Sequence, residues 1–244
     1  MEQEERDLLR SILGGKTLCL EGAIGAGKTE FMRSLAKYLE SNGVFQKVNC
    51  YEEDIPYPIL ERFNVDPNMF AMLFQTTMMT KRLAQGVLAL ENRNEGMFSI
   101  VDTGILRELA FSLANKNSGF MEEEEYNAHM DVFYRLFRSL HKPFPDFMIL
   151  LEADTSVLLG RIKKRGRMGE DGISPDYLEE IINCHQVCLK SRFISKSTVK
   201  HFTVCTNQSF FEPEEFKRMI IEDHSKKEEL KMMMIEDYSK KNQN

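Results

Sequence analysis

The sequence predicts an α/β fold in which a five-stranded parallel sheet is covered by helices on both faces. Five short, mainly apolar runs recur along the chain, and stretches with helical periodicity lie between them. Mainly apolar runs are typical of strands buried on both faces, and strands that alternate with helices indicate parallel pairing. A glycine-rich turn after the first run marks a point where the backbone can approach a ligand closely.

Local patterns place each element. Asp66-Pro67 and Ser174-Pro175 combine a capping side chain with a proline in the first helical turn, so each is expected to begin a helix. Strands are expected at Thr17–Glu21, Lys47–Tyr51, Met97–Val101, Phe147–Leu151 and His201–Cys205. Helices are expected at Thr29–Leu39, Pro67–Asn92, Glu122–Leu140, Thr155–Lys164 and Pro175–Leu189.

Composition narrows the class of protein. Of 244 residues, 42% are hydrophobic and 29% are charged, which is typical of a globular protein. Lys and Arg total 32 and Asp and Glu total 38, so the net charge of −6 argues against nucleic acid and membrane surfaces as partners. No apolar run approaches the ~20 residues of a membrane helix. The acidic start, MEQEERDLLR, is unlike a signal or transit peptide, so a cytoplasmic protein is expected.

The five cysteines are odd in number and scattered, so they do not indicate a disulfide framework. Cys184 and Cys188 flank His185 at helical spacing, an arrangement that would supply half of the ligands of a metal site. A zinc site needs four ligands and the sequence offers no second pair, so buried helix thiols are the favoured interpretation.

The end of the chain has a different composition. IEDHSKK (Ile221–Lys227) returns as IEDYSKK (Ile235–Lys241) after 14 residues. Two heptads are fewer than a coiled coil normally needs, so a solvated helix that frays into a disordered end is favoured over a coiled coil. We therefore expect one domain over residues 1–212 and a charged helical or disordered tail over residues 213–244.

The glycine-rich turn matches GxxxxGK[ST], a phosphate-binding pattern, between a strand and a helix. Its backbone N–H groups are expected to surround phosphate oxygens at the positive end of the following helix. The lysine reaches the outer phosphates and the threonine hydroxyl is a ligand for Mg²⁺. The expected nucleotide-binding residues are Gly22, Ala23, Ile24, Gly25, Ala26, Gly27, Lys28 and Thr29.

A basic segment follows the fourth strand. Five cations fall within seven residues, and glycines follow at 166, 169 and 172: the cations are Arg161, Lys163, Lys164, Arg165 and Arg167. A run of charge is usually a solvated face, but in a chain that binds a triphosphate a glycine-hinged basic lid is favoured, with arginines that neutralise the transferring group.

Carboxylates close two of the strands. Glu52 and Glu53 follow the second strand and Asp102 closes the third. Ligands of open parallel sheets bind beyond the carboxyl ends of the strands. Phosphoryl transfer to a hydroxyl needs one carboxylate to accept the proton and another to organise Mg²⁺, so these residues are candidates for both roles.

Together these motifs resemble the deoxynucleoside kinase family over roughly residues 16–190. The segments that carry the resemblance are EGAIGAGKT, the acid after strand two, FQTTMMTKRL (Phe74–Leu83), RIKKRGRMGEDGI (Arg161–Ile173) and the YLEEI that follows. The resemblance implies a P-loop kinase fold, ATP or another nucleoside triphosphate with Mg²⁺, a deoxynucleoside substrate for nucleotide salvage, and a homodimer packed through helices.

Several roles are implied by position in these motifs. Glu52 matches the catalytic base that takes the proton of the 5′-hydroxyl, and the adjacent Glu53 is the alternative for this position. Gln75 matches the glutamine that pairs with the nucleobase. Arg82 lies two helical turns on, on the same face, and matches an arginine beside the base whose acidic partner aligns with Glu108. This pair favours deoxyadenosine, deoxyguanosine or deoxycytidine over thymidine.

The resemblance also assigns the lid. Arg161, Arg165 and Arg167 match the lid arginines, and Glu170 matches the acid that binds the sugar 3′-hydroxyl. The spacing of Met78 and Met79 from Gln75 and Arg82 predicts that both methionines border the base.

Three departures from the family pattern stand out. The usual Glu-Arg-Ser after strand three is Asp102-Thr103-Gly104, so an arginine beside the base carboxylate is missing, and Arg107 one turn on is a candidate substitute. The tryptophan after the catalytic acid is absent, and the tyrosine that helps Glu170 aligns with Asn64.

Two rival functions remain at this point. A thymidylate-type monophosphate kinase shares the sheet and the phosphate loop, but it needs a differently spaced lid. A catalytically weakened nucleotide-binding scaffold is supported by the missing arginine and opposed by the intact GKT and lid motifs.

Overall fold

The computed structural model describes residues 1–139, 145–167, 169–170, 172–195 and 197–241. Five strands are observed in chain order: β1 (Thr17–Glu21), β2 (Asn49–Tyr51), β3 (Ser99–Asp102), β4 (Phe147–Glu152) and β5 (Lys200–Cys205). The helices within these residues are α1 (Gln3–Leu13), α2 (Lys28–Ser41), α3 (Tyr57–Val65), α4 (Pro67–Asn94), α5 (Ile105–Asn117), α6 (Glu123–Ser139), α7 (Thr155–Arg165), α8 (Pro175–Leu189), α9 (Arg192–Ser195) and α10 (Pro213–Lys241).

All five strands pair in parallel in the order β2-β3-β1-β4-β5, which confirms the predicted sheet. The central strand β1 is buried at every position, with Cys19 in register with Val101 on one side and Met148 on the other. Because β1 lies between β3 and β4, the loop that follows it emerges next to the end of β3. The segment after β2 lies one strand further out at the same edge.

The two predicted capping motifs are confirmed. The Asp66 side chain accepts a hydrogen bond from the Met69 backbone N–H, and the Ser174 hydroxyl accepts one from Tyr177, both at 3.1 Å. Each proline occupies the first turn, where its missing N–H costs nothing. The predicted strand at 47–51 begins two residues later than expected, and Leu140 of the helix expected over 122–140 lies outside the described residues.

Helices α1, α3 and α5 were not predicted. Nine of the thirteen residues of α5 are buried, so it lacks the polar stripe that makes a surface helix recognisable. Helices α3 and α5 matter most for function, because both line the cleft described below.

The core is continuous from α1 and α2 through the sheet to α8. Helix α10 begins at Pro213, and its first turns pack against this core through Phe216 and Ile220, which are fully buried. The division of the chain at 212/213 stays a prediction. No helix in the described ranges has the length and apolar character to cross a membrane.

Candidate active site

A cleft of about 640 Å³ opens at the carboxyl edge of the sheet. The phosphate loop forms one end, α3 and α4 form a wall, the start of α5 forms the floor, and the segment after α7 forms a roof. Of the predicted site residues, the cleft is lined by Ile24, Gly25, Gly27, Lys28, Thr29, Glu52, Asn64, Gln75, Arg82, Asp102, Arg161, Arg165, Arg167 and Glu170.

The phosphate loop has the conformation that its sequence predicts. Gly27 has φ +95°, in the left-handed region, and a Cβ there would lie 2.6 Å from the ring of Phe210. The Lys28 ammonium donates to the carbonyls of Gly22 and Ala23, both at 2.9 Å. Burial, aided by the nearby charge of Arg107, lowers the pKa of Lys28 to about 7. A phosphate would add negative charge next to Lys28 and so favour its protonated form.

The oxygen atoms beside the phosphate loop fit a magnesium ion. The Thr29 hydroxyl donates to one carboxylate oxygen of Asp102, whose other oxygen, Oδ1, is buried without a hydrogen-bond partner. Burial raises the pKa of Asp102. One hydroxyl and one carboxylate are a ligand set that suits Mg²⁺, which keeps several waters and binds substrate phosphates alongside one or two protein oxygens.

The two glutamates after β2 face different environments. Glu52 lies at the rim, about half exposed, and its carboxylate accepts two bonds of 2.7 Å from Arg33. Glu53 is mostly buried, with about 10% of its side chain exposed, and lies 2.9 Å from Arg82 and 3.4 Å from Arg107. Burial favours a raised pKa for Glu53, but the charges of Arg107, Arg82 and Lys28 outweigh it and lower the pKa to about 2.

Arg107 lies four residues after Thr103, the residue at the position where the family resemblance implies an arginine. Thr103 is fully buried and has φ +107°. Arg107 belongs to the first turn of α5, is buried, and lines the cleft with its guanidinium 4.5 Å from the ring centre of Phe111. The Nε of Arg107 has no hydrogen-bond partner among the described residues, so it keeps a free donor.

Gln75, Arg82 and Glu108 form one buried network, and the pairing of Arg82 with Glu108 is the one that the family resemblance implies. Glu108 accepts from Gln75 Nε2 at 3.0 Å and from Arg82 Nη1, and it also pairs with His129 Nε2 at 2.8 Å. Burial favours a raised pKa for Glu108, but its bond to His129 and the charge of Arg82 lower it. Glu108 lines a smaller cavity and not the cleft, and its carboxylate holds the side chains of Gln75 and Arg82.

Aromatic rings complete the wall of the cleft. Phe63 stacks on Phe74 with 5.3 Å between ring centres and meets the edge of Phe120 at 6.2 Å. Met78 lines the cleft, as expected, but Met79 does not. Met79 is one residue further around α4, about 100° on, and points into the smaller cavity with Glu108.

The lid region is folded against the cleft. Arg165 makes a forked ion pair with Glu170, with its closest contacts at 2.6 Å, and Arg167 lies 3.8 Å from the same carboxylate. The Asn64 amide donates to the Gly169 carbonyl at 2.7 Å. Arg161 instead donates to Thr206 and lies 4.4 Å from the ring centre of Phe210.

Comparisons with known proteins identify the family of the chain. Residues 18–230 match a family model described as "Deoxynucleoside kinase". The chain belongs to the deoxynucleoside kinase family. A deoxyadenosine kinase of Dictyostelium discoideum is 26% identical over 88% of this chain and 81% of its own length. A deoxyguanosine kinase of Bacillus subtilis is 30% identical over 71% of this chain and 78% of its own.

A solved structure of a deoxyadenosine kinase from M. mycoides, with bound dCTP, has the same fold. It superposes with a TM-score of 0.65 at 21% identity and covers 86% of this chain and 99% of that one. The expectation of a P-loop kinase fold and of an ATP-dependent deoxynucleoside kinase is therefore confirmed.

The kinase cleft contains residues that sequence reasoning did not assign. Phe63, Phe120 and Phe210 line it without belonging to a motif, and His129 supports it from α6. Tyr177 lines it from the YLEEI segment, whose residues were given no individual role. Only the family register could have indicated Tyr177, which donates to Asn115 at 2.7 Å. Cys184 and Cys188 are buried thiols on α8, as expected.

Proposed function

We propose that this protein transfers the γ-phosphate of ATP to the 5′-hydroxyl of a deoxynucleoside. One observation carries the proposal: a buried carboxylate, Glu53, lies between two arginines in the same cleft as the phosphate loop. A nucleotide scaffold gains nothing from an ionised carboxylate next to its phosphate site, because like charges repel. A kinase needs that group to accept the hydroxyl proton.

Glu53 is the base favoured by the geometry, in place of the expected Glu52. Its low pKa keeps it ionised throughout the physiological range, so it can accept the hydrogen bond of the 5′-hydroxyl and take the proton as the new P–O bond forms. Glu52 is tied to Arg33 at the rim and is a base only if this ion pair opens.

Arg107 supplies the charge that Thr103 cannot. Its guanidinium lies beside Glu53 and lines the cleft. The lid arginines Arg165 and Arg167 complete the positive surroundings of the transferring phosphoryl group, whose oxygens carry the developing charge.

The nucleobase is proposed to lie against Phe74 and Phe120, with its edge toward Gln75 and Arg82. One N–H of Gln75 is committed to Glu108, which leaves its carbonyl and second N–H for a base that offers one donor and one acceptor. The polar Arg82–Glu108 pair supports a purine or cytosine over thymine. Glu170 and Asn64 are proposed to lie near the sugar.

Magnesium would be held by Thr29 and, directly or through water, by Asp102. The ion supplies neutralisation of the phosphate oxygens when it is bound. Lys28 contributes a second positive charge once a phosphate draws its ammonium away from the loop carbonyls.

A homodimer is the proposed assembly. Val132 and Leu136 lie one turn apart on α6 and are about two-fifths exposed, and Leu88 on the adjacent α4 is about half exposed. Light scattering of the purified protein tests this: a mass near 57 kDa, twice the 28.4 kDa chain, supports the dimer, and a monomer mass refutes it.

The function is tested by ADP release from Mg-ATP with each of the four deoxynucleosides, with thymidylate, and with no acceptor. Glu53→Gln and Glu52→Gln are the matched pair of variants. We expect turnover on deoxyadenosine, deoxyguanosine or deoxycytidine that falls at least ~100-fold in Glu53→Gln and less than about five-fold in Glu52→Gln.

Other outcomes would redirect the assignment. The reverse order of the two variants would return the role of base to Glu52. Turnover on thymidylate alone would move the protein to the monophosphate kinases. ATP binding without turnover on any acceptor would favour the scaffold.

A further inference from the structure

Glu21, the last residue of β1, is a fully buried carboxylate that does not line the cleft. Its side chain points to the start of α5. Oε1 accepts from the Leu106 backbone N–H at 3.0 Å, and Oε2 accepts from that of Arg107 at 2.9 Å. These are two of the four N–H groups that a helix leaves unpaired at its N-terminus.

The start of α5 lacks a cap of its own. The N-cap residue is Gly104, which has no side chain to accept a hydrogen bond. A Cβ at Gly104 would lie 2.4 Å from the Cys19 sulfur and 3.2 Å from Glu21 Oε1. The space that a capping side chain would fill is therefore taken by β1, and Glu21 provides the cap from the neighbouring strand.

This cap acts at the residues that matter for the cleft. Arg107, whose N–H it binds, extends to Glu53, and the next residue, Glu108, holds Gln75 and Arg82. Glu21 also directly precedes Gly22, the first residue of the phosphate loop. One carboxylate thus joins the phosphate loop and the first turn of α5 at fixed distance.

Holding a carboxylate here has a cost. Burial raises the pKa of Glu21, and its charge opposes phosphate binding a few residues away. The negative charge of Glu21 is stabilised by the positive N-terminus of α5. The two hydrogen bonds that cap α5 compensate for the cost of burying this carboxylate.

We infer that Glu21 is a positioning residue, which acts on phosphoryl transfer by fixing Arg107 against Glu53. The inference rests on the proposed kinase activity. It predicts that the effect of losing the carboxylate on kcat depends on Arg107 being present.

A double-mutant cycle with Glu21→Gln and Arg107→Met tests this dependence. The amide keeps the size of Glu21 but turns one of its two acceptors into a donor. We expect Glu21→Gln to lower kcat by ~10- to 100-fold, as a displacement of about 1 Å does, with KM for ATP changed less than about three-fold. In the Arg107→Met background the same substitution should change kcat less than about two-fold.

Cys19→Ala is the matched control, because it removes only a sulfur contact 3.5 Å from Glu21 and leaves both backbone bonds. Its kcat is expected to stay within about two-fold of the wild type. An equal loss from Glu21→Gln in both backgrounds would overturn the inference.

Amide hydrogen exchange gives a readout that needs no activity. Glu21→Gln should accelerate exchange at Leu106 and Arg107, and unchanged protection would refute the cap.

If Glu21→Gln does not fold, the Cys19→Ala/Gly104→Ser background supplies a local capping hydroxyl. Glu21→Gln should fold there and keep kcat within about five-fold of that background; failure to do so overturns the inference. A wild type inactive on every deoxynucleoside would refute the kinase proposal instead, and hydrogen exchange would still test the cap.

Discussion

His185 makes the stability of this protein sensitive to acid. It is buried on α8, its Nδ1 donates to the Ile181 carbonyl at 2.8 Å, and its Nε2 has no hydrogen-bond partner among the described residues. Burial, with the charges of Arg107, Lys28 and Arg82, lowers the pKa of His185 to about 3. The folded protein therefore holds a neutral imidazole, whereas the unfolded chain binds a proton below its ordinary value of 6.5.

The direction of this pH dependence follows from the number of protons that the folded and unfolded states bind. Below pH 6.5 the unfolded state binds more protons than the folded state, so stability falls as pH falls from 6.5 toward 3. One pKa unit corresponds to about 1.36 kcal/mol. From pH 7.5 to pH 5 this histidine alone should lower the free energy of unfolding by about 2 kcal/mol.

Urea unfolding of the wild type and of His185→Gln at the two pH values measures this contribution. Glutamine does not titrate, so the drop in stability between pH 7.5 and pH 5 should be smaller in the variant by about 2 kcal/mol. Glu53 should not affect this comparison, because its contribution to the stability of the protein is lost only as pH falls below its ordinary pKa of 4.5. The same pH dependence in both proteins would refute the assignment of a buried neutral imidazole.

Three further predictions concern the cleft. Lys28 has a pKa of about 7 in the free protein, so ATP binding at pH 8 should take up roughly 0.9 proton, measurable by calorimetry in buffers of different ionisation enthalpy; no uptake would contradict a shifted lysine. Gly27→Ala should weaken ATP binding by ~10-fold or more, because an alanine backbone is strained at φ +95°. Adding Phe210→Ala should restore only part of the affinity, since it removes the clash with the ring but not the backbone strain. Full restoration of the affinity would show that only the clash mattered. Gln75→Ala should raise KM for the deoxynucleoside by ~10-fold or more, whereas Met79→Leu, outside the cleft, should leave KM within about two-fold; equal effects would refute the base-reading role of Gln75.

The sheet and the phosphate loop were predictable because their signals are local. An apolar run of five residues specifies a buried strand, and GxxxxGKT specifies both a conformation and a ligand. Asp66-Pro67 and Ser174-Pro175 fixed two helix starts for the same reason. The network of Gln75, Arg82 and Glu108 was reachable only through the family resemblance, since it joins α4 to α5.

The remaining features depend on tertiary contacts that carry no local signal. Which of two adjacent glutamates is buried depends on how the chain leaves β2, and the sequence pattern is the same for both. Helix α5 is buried on most of its surface, so its periodicity is hidden. The role of Glu21 depends on the absence of a side chain at Gly104, 83 positions away in the sequence.

Homodimer formation, magnesium and a cytoplasmic location stay predictions, as do the roles assigned to individual side chains. The structure adds a reason to test Arg107 and Glu53 first. Arg107 follows one turn after the departure at Thr103, Glu53 is the favoured base, and the two side chains lie 3.4 Å apart.

The most direct test is identification of the product that forms when the wild-type protein is incubated with Mg-ATP and each deoxynucleoside. Chromatography with mass detection distinguishes a deoxynucleoside 5′-monophosphate from its 3′ isomer and from free phosphate. We predict the 5′-monophosphate of deoxyadenosine, deoxyguanosine or deoxycytidine, with ADP in equal amount. Release of ADP and free phosphate without a nucleotide product, or phosphorylation of thymidine in preference to the other three, would contradict the account.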